Sequence, residues 1–165
     1  MSSINIFQEA IDNCRWKTVL RGVLENIRMS DYKNKSFEEI IIRIHEIYSK
    51  VNGLGMLTIY DITSAICRNY GIIIDRIYIV GNGPKRAINI LNISPSRHQI
   101  TKNIVLKYVS ITSIVEVFGN IMDEKIISDG DAIETFLCNW QKTIRLLIWL
   151  LDSTHVESFF LNTIS

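Results

Sequence analysis

The chain has 165 residues, of which 47% are hydrophobic and 21% are charged, a balance that excludes a disordered chain and is typical of one globular domain. Its formal net charge of +1 argues against a strongly basic nucleic-acid-binding protein, although a local basic patch is compatible with that total. The three cysteines, Cys14, Cys67 and Cys138, are too widely spaced to predict a zinc site or a disulfide framework, so we expect reduced thiols in the cytoplasm.

No targeting or membrane segment is predicted. Residues 1–10 have neither a basic start nor a long apolar core, so they do not resemble a signal peptide. The most apolar run near the end, Leu146–Leu151, is too short to cross a bilayer. We therefore expect a soluble protein that has no membrane partner, no metal and no cofactor.

Helices are predicted for the first part of the chain. Apolar residues at helical spacing predict a helix from Ile4 to about Met29. Ser36 and Glu39 have the spacing of a capping box, which predicts that a second helix begins at Ser36. This helix is expected to end at Asn52-Gly53, because glycine adopts a left-handed backbone conformation easily.

The central part is predicted as helices joined by one ambiguous segment. A third helix is expected from about Leu57 to Asn69 and is closed by Gly71. The apolar run Ile72–Val80 fits a short strand or a buried helix, because periodicity cannot separate the two over so few residues. A helix is expected over Pro84–Leu91, followed by a loop over Ser94–Gln99.

The last part contains the clearest predicted helix. Lys102–Val109 is rich in β-branched residues and stays undecided, whereas Ser110–Met122 favours a helix. Asp131 and Glu134 have capping-box spacing and predict the start of a long C-terminal helix that closes the core. Thr154 and Glu157 predict a last short helix.

These elements together predict an all-α or nearly all-α fold, a single-domain helical bundle over residues 1–165. The segment with the most information is 51–66, VNGLGMLTIYDITSAI. It resembles the helix-hairpin-helix pattern of DNA-binding proteins, with Gly53, Leu54 and Gly55 as the hairpin. The resemblance implies that the two glycines allow a tight turn and close approach to a ligand, that Leu54 packs between helices, and that the following amides face a phosphate.

A second segment, 79–91, has the same pattern with basic residues added. Here Gly81 and Gly83 form the hairpin, and Lys85 and Arg86 begin the next helix, where cations and helix amides can meet one phosphate. The two hairpins define a tandem region of about 38–92. Such pairs, in the proteins they resemble, straddle the minor groove and hold both strands. Asn82 departs from the pattern, because an apolar residue is usual there.

The run from about Ile40 to Lys142 is also similar to a group of small bacterial proteins of unknown function. The similarity lies in GLGMLTIYDITSAICRNYG, IYIVGNG and DAIETFLCNW. It implies no activity. That group has a histidine near the position of Val80, so any role of an imidazole there does not carry over.

One enzymatic interpretation rests on Asp75. In helix-hairpin-helix DNA glycosylases an aspartate follows the second hairpin glycine by about twenty residues, and Asp75 has that offset from Gly55. Leu57 stands where the lyase-competent members have a lysine, and the N-terminal arm looks too short for a base-flipping pocket. The sequence therefore leaves catalysis open and favours a protein without it.

The favoured function is sequence-independent binding of a nucleic-acid backbone, DNA in the first place. The contact surface would consist of the hairpin residues and the two cations: Gly53, Leu54, Gly55, Gly81, Gly83, Lys85 and Arg86. Two alternatives remain: a protein-interaction module with purely structural hairpins, and a glycosylase-like repair enzyme. The apolar run Leu146–Leu151 exceeds what one helix face needs, which favours a homodimer formed through the C-terminal helix.

Overall fold

The computed structural model of the chain describes residues 28–49, 51 and 54–152. Most of the helix predicted from Ile4 to about Met29 lies outside these residues, as do Gly53 and the short helix predicted at Thr154.

The described residues form helices and three strands in mixed order. In chain order the elements are a 3-10 helix (Met29–Tyr32), α1 (Phe37–Tyr48), α2 (Met56–Tyr70), β1 (Arg76–Tyr78), α3 (Asn82–Ile90), β2 (Ser96–Gln99), β3 (Val105–Ser110), α4 (Ile111–Phe118), α5 (Glu124–Ile127) and α6 (Gly130–Asp152).

The sheet shows that the all-α prediction is wrong, and the fold is mixed α/β. The three strands form an antiparallel sheet in the order β1-β3-β2. In the β1–β3 pair, Ile77 lies opposite Val109 and Tyr78 lies opposite Tyr108. β1 and β3 lie mainly in Ile72–Val80 and Lys102–Val109, which periodicity cannot assign, and β2 lies in Ser94–Gln99, for which a loop is expected. Pairing across the sheet satisfies the backbone groups of these segments.

The chain folds into two compact units. Of the described residues, the first unit comprises those from Arg28 to Ile74 together with Gln99–Val105. Its main pair of helices is α1 and α2. Their buried faces include an aromatic contact, in which the rings of Phe37 and Tyr60 meet edge to face at 6.1 Å. The aliphatic residues buried in these two helices include Ile40, Ile41, Ile44, Ile59 and Ile66.

The second unit comprises, among the described residues, Asp75–His98 and those from Leu106 to Asp152. Its core lies where α3 and β1 pack against α6. The ring of Phe118 stands edge to face against Phe136 at 5.3 Å and Trp140 at 5.0 Å. The buried apolar residues of this core are Ile77, Ile79, Ala87, Ile88, Val109, Ile114, Phe118, Met122, Ile133 and Leu137. The division into two compact units does not test whether each unit folds on its own, so the single domain expected from the sequence stays a prediction.

Two of the predicted helix ends are confirmed, and two are wrong. The helix expected to end at Asn52-Gly53 ends at Tyr48, and the other wrong end is the start of α6. Ser36 and Glu39 form a reciprocal capping box at the start of α1. Gly71 closes α2 with a φ of 65°, a conformation that glycine adopts without strain. α6 begins at Gly130, so Asp131 lies within its first turn and not at the N-cap that the predicted Asp131–Glu134 box requires. The carboxylate of Asp129 instead accepts the amide of Asp131 at 3.0 Å.

No helix in residues 28–49 and 54–152 combines the length and apolar character needed to cross a membrane.

Candidate nucleic-acid interface

The first predicted hairpin lies in the connection between the two helices α1 and α2. The amide of Leu54 donates to the carbonyl of Val51 at 3.3 Å, which closes the turn. Gly55 is the residue at the N-cap of α2, and it has no side chain to accept an amide of the first turn. The orphan amides at this helix end are therefore free of a side-chain cap and carry partial positive charge.

The position of Gly55 is open. A β-carbon added there would meet no atom within 4 Å, and its φ of −94° is accessible to any residue. Neither packing nor backbone conformation therefore requires glycine at this position. The first turn of α2 has no acidic residue, and Leu57 at its front is 48% exposed. This helix end offers amides and an apolar side chain, but no cation.

The second predicted hairpin has a different architecture. A strand, β1, precedes the turn, so the segment is strand–turn–helix and not helix–hairpin–helix. Gly81 stands at the N-cap of α3 without a side-chain cap, and the first turn contains no acidic residue. Lys85 and Arg86 are both exposed, and neither forms an ion pair with a described residue. This helix end therefore combines uncapped amides with two cations.

Gly83 has a packing role that the sequence does not reveal. A β-carbon at Gly83 would lie 2.5 Å from the sulfur of Cys138 and 3.3 Å from its β-carbon. The glycine therefore allows α3 to approach α6 closely. Pro84, which follows, is buried. Of the two glycines in this turn, Gly81 is the N-cap of α3, whereas Gly83 is its second residue and lies against Cys138 of α6.

The predicted contact residues thus fall into two groups. Gly81 is the N-cap of α3 and Lys85 and Arg86 are the fourth and fifth residues of that helix, in the second unit. Leu54 and Gly55 lie at the start of α2, in the first unit. Gly53 lies outside the described residues.

Asp75, the one catalytic candidate, forms a surface ion pair. Its two carboxylate oxygens accept hydrogen bonds from the guanidinium of Arg76 at 2.8 and 2.9 Å, and its side chain is 69% exposed. These hydrogen bonds are the largest cause that lowers the pKa of Asp75. A carboxylate with a lowered pKa and both oxygens engaged is a poor general base. The local geometry is therefore that of a structural pair.

The sheet carries a polar aromatic cluster that sequence reasoning missed. The Tyr78 hydroxyl and Nδ1 of His98 are 2.8 Å apart, and the two rings stack with centroids at 6.0 Å. The ring of Tyr108 meets His98 edge to face at 6.3 Å, and the guanidinium of Arg76 lies 5.1 Å from the Tyr108 centroid. Tyr78 is completely buried.

The contacts within the cluster account for the orientation of its side chains without a bound ligand. Stacking fixes the imidazole plane of His98, and the hydrogen bond holds one of its nitrogens. Tyr78 and Arg76 are two residues apart on β1, the spacing that places side chains on one face of a strand. That spacing is the only sequence signal for the cluster. No group of three His, Cys, Asp or Glu side chains within the described residues is arranged to hold a metal ion.

Comparison with known proteins gives no relative. No protein-family model matches the chain, and neither a curated protein nor a solved structure matches it significantly.

Proposed function

We propose that this protein binds the phosphate backbone of nucleic acid without catalysis and without sequence preference. One observation supports the proposal most directly. The first turn of α3 leaves the amides of Asn82 and Gly83 without a side-chain cap and has no acidic residue, and the exposed residues Lys85 and Arg86 follow directly after it.

The physical basis is the combination of two positive sources at one helix end. The aligned peptide dipoles place roughly half a positive charge at a helix N-terminus, and uncapped amides can donate directly to phosphate oxygens. Lys85 and Arg86 add two mobile cations that release counterions from the backbone when they bind it. Contacts of this kind position a protein on nucleic acid and carry no base information.

The start of α2 is the weaker half of the proposal. Gly55 leaves the amides uncapped and accessible, but the residues of the first turn, from Met56 to Ile59, carry no charge. We therefore assign most of the salt-dependent affinity to the turn at Gly81. The turn at Gly55 would contribute neutral hydrogen bonds to phosphate.

Fluorescence anisotropy with labelled DNA tests the proposal. The probes are a duplex of about 20 base pairs and a single strand of the same length, at low salt where phosphate contacts are strongest. Lys85→Ala/Arg86→Ala should weaken binding roughly tenfold to a hundredfold, since it removes two charge-assisted contacts. Both probes should be affected alike, because the contacts are to backbone.

The matched control is Arg28→Ala/Lys33→Ala. It removes one arginine and one lysine that are also exposed, so the net charge changes equally. This variant should bind within about twofold of wild type, as expected when only a screened contribution to the net charge is lost. Equal weakening in both double variants would show that total charge, and not the turn at Gly81, governs binding.

A second function, protein–protein interaction, is favoured by one specific feature. The last part of α6 exposes a run of large apolar side chains, Leu146 to Leu150. A contiguous exposed apolar surface is typical of an interaction site. Binding to nucleic acid and association through α6 use different residues and do not exclude each other.

A further inference from the structure

The part of the chain that forms the sheet and α3 carries only positive charge. From Arg76 to Val115 the sequence contains six cationic residues and no Asp or Glu, although the net charge of the whole chain is only +1. This stretch includes all three strands and α3. Its lysines and arginines are Arg76, Lys85, Arg86, Arg97, Lys102 and Lys107.

Two of these cations, Arg97 on β2 and Lys107 on β3, lie on neighbouring strands. The amide of Ile100 donates to the carbonyl of Ile104 at 3.0 Å, just beyond the ends of the two strands. Antiparallel pairing counted from this bond places Arg97 opposite Lys107. Both residues are exposed, and neither forms an ion pair with a described residue. Like charges opposite each other destabilise a sheet, so this pair is favourable only when an anion neutralises it.

Lys107 also lies close to the turn at Gly81. The amide of Ile79 donates to the carbonyl of Lys107 at 2.8 Å, so the pairing of β1 with β3 continues to this point. Gly81, the N-cap of α3, follows two residues later. Paired α-carbons are about 5 Å apart and each further residue adds at most about 3.4 Å, so the α-carbons of Lys107 and Gly81 are within about 12 Å of each other.

Arg97 and Lys107 share one face of the sheet with the core that α3 joins. His98 and Tyr108, the next residue on each strand, have their rings in contact on one face. Side chains alternate along a strand, so the two cations point to the other face. That face also carries Ile77, which belongs to the same core cluster as residues of α3. The pair of cations and α3 are therefore on the same side of the sheet.

We infer that Arg97 and Lys107 bind phosphates next to the phosphate bound at the start of α3, so that the ligand is an extended nucleic-acid backbone and not a single phosphate group. This inference rests on the proposed function, which supplies the neighbouring contact at Gly81. A duplex carries about one negative charge per 1.7 Å of its axis, so a length of about 12 Å presents several phosphates. Such a row of anions fits both sites at once and neutralises the cross-strand pair.

Fluorescence anisotropy with a labelled duplex of about 20 base pairs over a salt series tests this inference. Arg97→Ala/Lys107→Ala should weaken binding roughly tenfold to a hundredfold at low salt. It should also reduce the magnitude of the salt slope by about 1.8, since two phosphate contacts are lost. The matched control is Arg28→Ala/Lys33→Ala, which removes the same charges from exposed residues of the first unit and should leave the slope unchanged.

A second pair of measurements separates binding from folding. Removal of two opposed like charges should leave the urea midpoint of Arg97→Ala/Lys107→Ala unchanged or slightly higher than that of wild type. The exchanged variant Arg97→Lys/Lys107→Arg keeps both charges and should bind within about threefold of wild type. Weak binding by this exchanged variant would mean that charge is not what the pair contributes.

Competition with inorganic phosphate tests the extended ligand. At equal ionic strength, phosphate should displace the duplex no better than chloride does, because a single anion cannot occupy both sites. Displacement by phosphate well beyond that of chloride would show a site for one phosphate group and overturn the inference. Loss of binding to phosphatidylserine vesicles in Arg97→Ala/Lys107→Ala, together with unchanged binding to DNA, would assign the pair to a membrane surface instead.

The two double variants distinguish failure of this inference from failure of the proposed function. If Lys85→Ala/Arg86→Ala weakens binding and Arg97→Ala/Lys107→Ala does not, the sheet makes no contact and the proposed function stands. If only Arg97→Ala/Lys107→Ala weakens binding, the contact at the sheet stands and the turn at Gly81 is excluded. No binding by wild type at low salt would overturn both.

Discussion

Replacing Gly83 tests the packing between α3 and α6. Alanine places a β-carbon 2.5 Å from the sulfur of Cys138, about 1 Å closer than an ordinary non-bonded contact. Overpacking of this kind destabilises a core by about 1–3 kcal/mol. Alanine also gains about 0.5 kcal/mol over glycine through backbone entropy. Gly83→Ala should therefore lower the free energy of unfolding by about 1.5 kcal/mol, a balance of these two effects.

A second substitution at Cys138 identifies the cause. Cys138→Ala removes the sulfur and leaves only the β-carbon, at 3.3 Å from the added methyl group. In this background Gly83→Ala should cost less than about 0.5 kcal/mol, so the double-mutant cycle should show a coupling of about 1 kcal/mol. The assay is urea unfolding at 25 °C followed by far-UV circular dichroism.

Gly55→Ala is the matched control. The added methyl group meets nothing within 4 Å, and the entropy gained over glycine is offset because alanine is the poorer residue at this N-cap. Stability should therefore change by no more than about 0.5 kcal/mol. The reasoning is refuted if Gly83→Ala is as stable as wild type, or if Cys138→Ala fails to reduce its effect.

Three further substitutions have expected effects on unfolding. Tyr48→Phe should raise the free energy of unfolding by about 1 kcal/mol at pH 7, because its hydroxyl is buried and no described residue bonds it. Burial raises the pKa of Tyr48, so wild type should lose stability as pH rises above about 10. Urea unfolding at several pH values should show a smaller loss of stability in Tyr48→Phe than in wild type. Ser36→Ala breaks the capping box with Glu39 and should cost about 1 kcal/mol in the same urea assay; an unchanged midpoint would contradict the assigned cap. Tyr78→Phe removes the hydroxyl bonded to His98 and should be destabilising by about 1 kcal/mol, opposite in sign to Tyr48→Phe; equal signs for the two would mean that partnering of the hydroxyl does not matter.

Local signals predicted the helices well. Ser36 and Glu39 interact within one turn, and the left-handed Gly71 needs only its own backbone, so both could be found from the chain alone. The helix expected from Leu57 to Asn69 is α2, Met56–Tyr70. The helix expected over Pro84–Leu91 is α3, which begins two residues earlier at Asn82.

The strands could not be predicted because they are short and none has a local pattern that identifies it. β1 has three residues, and its partner β3 lies about thirty residues further along the chain. β2, with the sequence SRHQ, has no apolar alternation at all, so it resembled a loop. Pairing across the sheet supplies what local propensity does not. The wrong fold class therefore came from short segments that no local pattern identifies: β1 pairs with a distant strand, and β2 pairs with the next strand of the chain.

The candidate site was predictable in part for the same reason. Lys85 and Arg86 follow a glycine turn in sequence, so their position at a helix start was evident. Gly83 and Cys138 are close in space but 55 positions apart in the chain, and no sequence pattern predicts their proximity. The Tyr78–His98 pair likewise depends on the sheet.

The salt dependence of DNA binding tests the central claim most directly. For a duplex, each phosphate contact contributes about 0.9 to the slope of log affinity against log salt. Lys85→Ala/Arg86→Ala should therefore reduce the magnitude of the wild-type slope by about 1.8, while Arg28→Ala/Lys33→Ala leaves it unchanged. An equal slope in wild type and Lys85→Ala/Arg86→Ala, or no binding by wild type at low salt, would contradict phosphate recognition at the turn that begins α3.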